Sequence, residues 1–187
     1  MNKLLIFLLE EESMSEVLSI LLPRLLPPQV DFRLIYHNGK QELEKAIPYK
    51  LRRWQAPHIH FVIARDQNSD DCVILKQRLK QLCQKAGQPD ALIRIVCHEL
   101  ESWFLGDLAA VEKAFNIKGL AKQQDKKKYR DPDRLANAAE ELQKLVKNYK
   151  KVSGACAIAP HLDLTNNRSH SFQVFISCAQ KLAQQVG

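Results

Sequence analysis

The sequence predicts an α/β domain, with about four parallel strands flanked by helices and a C-terminal helical extension. Three observations carry this. Apolar runs of strand length alternate with stretches of helical spacing through the first half of the chain. The first run, Lys3 to Leu9, is almost wholly apolar, as expected of a strand covered on both faces. Four β-α units in succession then require right-handed crossovers and a parallel sheet, whose strand order the sequence leaves open.

Lys3–Leu9 is the first strand. Ser13 to Leu26 follows with Val17, Leu18, Leu21, Leu22 and Leu25 on one helical face; Ser13 suits the N-cap, with Glu16 three residues on. Pro27-Pro28 ends that helix. Val30 to Tyr36 is the second strand, closed by Asn38-Gly39. Lys40 to Trp54 reads as a helix interrupted or kinked at Pro48. His58 to Ala64 is the third strand. Asp70 to Ala86 is a helix with Val73, Leu75, Leu79 and Leu82 inward and Gly87 as its stop. Ala91 to Cys97 is the fourth strand, running into a helix start at Glu99 to Phe104. A composition shift near residue 115 separates this core from the extension (116–187), and both are read as one domain. The extension comprises a basic loop, Lys118 to Arg130; a helix from Asp131-Pro132 to about Tyr149; an irregular stretch, Gly154 to Asp163; and an amphipathic helix, Ser169 to Val186.

At 187 residues, 45% hydrophobic and 26% charged, the composition is that of an ordinary globular domain. The net charge of +7 suits an anionic partner. Five cysteines without a C-x-x-C pair argue against a disulfide framework or a zinc ribbon, and for reduced cysteines in a cytoplasmic protein. The opening apolar run stops in three glutamates with no small-residue cleavage site, so a buried strand is expected there rather than a signal peptide, and no run has the length of a membrane span.

Three of the four strands end in carboxylates: Glu10, Glu11 and Glu12 after the first; Asp66, Asp70 and Asp71 after the third; Glu99 and Glu101 after the fourth. In an open parallel sheet these ends converge on the edge where ligands bind. Carboxylates about 4 Å apart repel by roughly 4 kcal/mol at an effective dielectric near 20, so a cation, a proton or a basic neighbour such as Arg65 must offset them. Mg²⁺ (or Mn²⁺) suits such hard oxygen ligands and assists phosphoryl transfer. Taken singly, each acid reads first as a helix cap, and the functional reading rests on Glu10 and Asp66 together.

Leu8-Leu9-Glu10 after a buried strand and Arg65-Asp66-Gln67-Asn68 after the third resemble the Toprim fold of topoisomerases, primases and overcoming-lysogenization-defect nucleases. Cys97-His98-Glu99-Leu100-Glu101-Ser102-Trp103-Phe104-Leu105-Gly106-Asp107, Lys128-Tyr129-Arg130-Asp131-Pro132 and Arg168-Ser169-His170-Ser171-Phe172 resemble the domain-of-unknown-function family 4276. The resemblance implies a Toprim/Rossmann-like core, Glu10 as general acid or base, and Asp66 as the first metal-binding aspartate. Asn68 stands where the pattern has its second aspartate, and Asp70 or Asp71 can substitute. It also implies a phage-defence setting with an ATPase partner.

The expected function is therefore Mg²⁺-dependent phosphodiester hydrolysis on nucleic acid, with Glu10, Asp66 and Glu101 catalytic and Glu10, Asp66, Asn68 and Asp70 around the metal. The alternative is a non-catalytic nucleic-acid-binding or regulatory subunit of an ATPase complex, its site degenerate at Asn68. Lys113 to Lys151 carries twelve Lys/Arg against five Asp/Glu. From it Lys126, Lys127, Lys128 and Arg130, with Arg168, are the candidate backbone contacts. Arg168 with Ser169 and Ser171 reads first as a cap for the last helix, with phosphate binding as the alternative. His58 and His60 read as structural, His98 as a neighbour of the acidic edge, and Trp103 and Phe104 as core. No G-x-x-x-x-G-K-[ST] or G-x-G-x-x-G loop supports a small-molecule phosphotransfer enzyme.

Overall fold

A computed structural model describes residues 2–184. Four parallel strands, β1 (Lys3–Leu9), β2 (Val30–Tyr36), β3 (Ile59–Asp66) and β4 (Leu92–Val96), form one sheet in the order β2-β1-β3-β4. α1 (Glu12–Leu25), α2 (Lys40–Arg53) and α3 (Cys72–Lys85) connect them. The β1-to-β2 step runs one way across the sheet and the later steps run the other. Right-handed crossovers therefore put α1 on one face and α2 and α3 on the opposite one. The core divides accordingly. Leu5, Phe7, Leu9, Val62 and Ala64 pack with α1, while Ile6, Leu8, Phe61 and Ile63 pack with Leu43 and Ile47 of α2 and Leu75 and Leu79 of α3.

The rest of the chain covers the α1 face. It comprises α4 (Glu101–Leu105), α5 (Leu108–Phe115), α6 (Ala138–Leu145), α7 (Lys151–Ile158) and α8 (His170–Gln184). Trp103 stands at the centre of this layer, edge-on to Phe172 at 5.2 Å and tilted against Phe175 at 5.1 Å. Its indole N–H donates to the Ser171 hydroxyl at 3.1 Å. The region after residue 115 thus shares one hydrophobic core with the sheet.

Several local expectations change. Ser13 is not the N-cap of α1: Glu11 holds that position, and the Ser13 hydroxyl donates to its carboxylate. Lys40–Arg53 runs as a single helix through Pro48. α3 starts at Cys72 with Asp71 accepting from the amides of Val73 and Ile74, which leaves Val73 65% exposed rather than inward. The single helix expected over 131–149 is a 3₁₀ turn at Pro132–Arg134 followed by α6. Two distant contacts explain the break: Asp133 is drawn to the Ser171 amide at 2.7 Å, and Glu99 accepts from the Ala139 amide at 2.8 Å. The stretch expected to be irregular holds α7 and a 3₁₀ turn (Ala159–His161). Gly154 serves there as a packing residue rather than a breaker. A Cβ on it would lie 2.2 Å from the Tyr149 ring, so only glycine lets that ring lie against the helix. The last helix runs to Gln184 within the described residues; its expected end at Val186 lies outside them.

Candidate active site at the switch point of the sheet

From β1 the chain leaves toward one edge of the sheet, and from β3 toward the other. The crevice of this fold therefore opens between the carboxyl ends of β1 and β3. Glu10 and Asp66 stand at these two ends. Leu9 pairs with Ala64 in the last described rung between the strands, and the Asp66 amide donates to Glu10 Oε2 at 3.2 Å.

Alternation along β3 separates Arg65 from Asp66. Asp66 continues the side of Val62 and Ala64, toward α1, α4 and α7. Arg65 continues the side of Ile63, toward α2 and α3. Arg65 is fully buried and gathers three carboxylates: Glu44 at 2.6 Å, Asp70, and Glu10 at 3.4 Å, the last an ion pair without hydrogen-bond alignment. Arg78 adds a second guanidinium on Glu44 at 2.9 Å. Asp70, expected at the metal, thus belongs to the opposite face from Asp66, because its loop leads into α3. Asn68 is exposed, with φ of 53°; its amide donates to the His98 carbonyl at 2.8 Å, and His98 shares the left-handed conformation at φ 59°. Neither Asn68 nor Asp70 joins the Asp66 side chain.

Glu101 and Glu11 flank Asp66. Asp66 is 4% exposed; its Oδ2 accepts from the Leu100 amide at 3.3 Å, and its Oδ1 has no donor among the described residues. Burial, then the charges of Glu11, Glu10 and Glu101, push its pKa well above the ordinary aspartate range, against a counter-pull from Lys151. Glu101 is 1% exposed, takes the Tyr149 hydroxyl on Oε1 at 3.2 Å, and leaves Oε2 without a donor. Burial raises it also, Lys151 opposing. Glu10 is raised by burial against the pull of Arg65. Lys151, the first residue of α7, donates to Glu11. Burial draws its pKa down, but the bond to Glu11 and the charges of Glu11, Glu101 and Asp66 outweigh that and hold it high.

Sequence reasoning missed Lys151 and Tyr149, which fell at the ends of misread segments. Among the described residues, no group of three His, Cys, Asp or Glu side chains is gathered in a metal-ligating arrangement. The carboxylates are held by Lys151, Arg65, Tyr149 and backbone amides instead. The two donor-less buried oxygens are nevertheless hard ligands of the type that Mg²⁺ takes, one or two at a time with water.

Of the basic residues, Lys128 pairs with Glu141 at 2.6 Å and Arg168 with Asp125 at 3.0 Å, while Lys126 bonds Gln123. Lys127, Lys128 and Arg130 line an open groove of about 610 Å³ with Asp131, Arg134 and Leu135. Ser169 caps α8, accepting from the Phe172 amide at 3.1 Å. His58 and His60 lie at the amino end of β3, away from the acidic edge, and burial lowers the pKa of His60. No helix among the described residues is long and apolar enough to cross a membrane.

No curated protein and no solved structure matches the chain significantly. The family model described as a domain of unknown function, DUF4276, matches residues 9–178, all but the two ends, and the chain belongs to that family.

Proposed function

We propose that this protein hydrolyses nucleic-acid phosphodiesters with a divalent cation, through a Toprim-like acidic site made of Glu10, Asp66 and Glu101. One observation carries the reading. Two buried acids from separate segments, Asp66 and Glu101, stand at the crevice of the sheet with the partly buried Glu10 beside Asp66, and each of the two keeps an oxygen that no described residue satisfies. Asp66 and Glu101 would hold Mg²⁺ or Mn²⁺, with Glu10 beside them, while Asn68 and Asp70 fall outside the ligand set. The bound ion would neutralise charge on the phosphate oxygens and activate water. Glu10, raised by burial but still 13% exposed, suits exchange of a proton with a reacting oxygen. Lys127 and Arg130 would hold the phosphate backbone without reading its sequence.

The test is cleavage of single- and double-stranded DNA and RNA by the purified protein with Mg²⁺ or Mn²⁺. Chelation should stop it, and Asp66→Asn should lower the rate at least about 100-fold, since charge stabilisation by a metal is worth several kcal/mol. Lys127→Ala with Arg130→Ala should weaken backbone binding and flatten its salt dependence by roughly two contacts. Undiminished cleavage by folded Asp66→Asn protein rejects the assignment.

One observation favours a second reading, a nucleic-acid-binding or regulatory subunit working with an ATPase: the cleft already carries a cation of its own, Lys151. That reading expects binding indifferent to chelator and no turnover even with the partner present.

A further inference from the structure

Lys151 reaches the acidic cleft from a different layer of the molecule. α7 packs along α1, and this contact sets the first residue of α7 beside Glu11, the N-cap residue of α1. Tyr149, two residues earlier, lies against Gly154 and bonds Glu101. The ammonium therefore stands in the field of Glu11, Asp66, Glu101 and Glu10 at once. It donates to Glu11, and it satisfies neither Asp66 Oδ1 nor Glu101 Oε2. Its stem is flexible and its side chain 48% exposed, so it can leave the cleft without disturbing the core.

We infer that Lys151 is the resident counter-ion of this cleft, and that its ammonium and a divalent cation hold the cleft in competition. The inference rests on the reading that the acids take such a cation. A divalent ion drawn to the oxygens of Asp66 and Glu101 meets the ammonium, which already acts on both carboxylates, as a like charge. Entry of the metal releases Lys151 from Glu11 toward solvent. Linkage makes the effect mutual: the factor by which Lys151 weakens the metal is the factor by which the metal weakens the Lys151–Glu11 contact.

Calorimetric titration of the intact protein with Mn²⁺ and Mg²⁺, together with acetylation of lysines read by mass spectrometry, tests this. Lys151→Gln should bind the metal about tenfold more tightly than wild type, and Lys151→Arg, which keeps the charge, should bind as wild type does. The Lys151 amine should acetylate severalfold faster once Mn²⁺ saturates the protein, and Asp66→Asn should abolish that increase. Both variants lie on a half-exposed first helical turn, and circular dichroism checks their folding. If wild type binds metal but Lys151→Gln gains no affinity, or if the Lys151 labelling rate stays constant on saturation, the counter-ion role is wrong and the metal site stands. If neither protein binds metal, both fall. Binding seen only in Lys151→Gln supports the competition in its strongest form.

Discussion

Asp66→Asn should stabilise the metal-free protein. Asparagine keeps the shape of aspartate. Its carbonyl oxygen can still accept from the Leu100 amide, and its amino group would replace the donor-less Oδ1 in the neighbourhood of Glu101, Glu10 and Glu11. A donor thus enters where acceptors crowd. Three carboxylates act against the Asp66 charge and one ammonium acts for it. Two of those charges stay unbalanced, and each unit charge at ~6 Å is worth about 3 kcal/mol at an effective dielectric near 20. Proton uptake relieves much of that, since a buried acid neutralises rather than stay charged. About 1–2 kcal/mol should remain to be gained, a rise in Tm of about 2–8 °C for a domain of this size. The pH dependence has a definite sign. The folded-state pKa of Asp66 is raised above the unfolded value near 3.9, so below about pH 4 both states are protonated and the group costs nothing. As pH climbs past that value the unfolded chain ionises first, and stability is lost until the folded-state pKa is passed. Acids held low, such as Asp163 with its bonds from Thr165, act in the opposite sense. The difference between wild type and variant cancels them. Denaturant titrations of both proteins from pH 4 to 8 should give a gap that widens with pH. A variant less stable than wild type, or a gap constant with pH, would show that Asp66 is only a structural acceptor for Leu100.

Gly154→Ala should cost about 1–3 kcal/mol, because the new Cβ meets the Tyr149 ring at 2.2 Å and the ring must shift off Glu101. Combining it with Tyr149→Ala should recover at least about 1 kcal/mol in a double-mutant cycle, and strict additivity would contradict the packing argument. Arg65→Met should cost about 3–5 kcal/mol at neutral pH, since a fully buried cation is removed from Glu10, Glu44 and Asp70. Chemical denaturation at neutral pH measures it, and a loss under about 1 kcal/mol refutes the account.

The α/β core was legible because β1 is nearly all apolar, β3 carries the apolar run Phe61–Ala64, and acids follow both runs closely. The acidic edge followed from the same pattern, and so did the part of Arg65 as a neutralising neighbour. The division of the edge between two faces was present in the sequence as well, since adjacent residues of a strand point oppositely. It was obscured because Asp66, Asn68 and Asp70 look like one cluster when read as a string. What the sequence concealed lies in the extension. Asp133 and Glu99 cap helices far from them in the chain, so a helix that looks continuous over 131–149 is broken by tertiary contacts. Gly154 reads as a breaker unless the Tyr149 ring is known to cover it. Lys151 is one lysine among many until α7 is seen to lie on α1.

The two faces of the sheet edge offer an internal comparison that bears on function. On the α2–α3 face, Glu44 and Asp70 meet Arg65 and Arg78, and every carboxylate has a guanidinium within reach. On the α1–α7 face, at greater depth, Asp66 and Glu101 each keep an oxygen with no donor among the described residues, and the Lys151 ammonium acts on them and on Glu11. The same chain thus saturates one acidic group and leaves the other short. Asparagine or glutamine would fill the same volume on the second face without the charge, so packing does not require the acids there. A local rule broken at the crevice of the fold, beside a network that obeys it, is the observation that supports the proposed site over a structural ion cluster. Under the proposed function, a divalent cation would supply what these two oxygens lack.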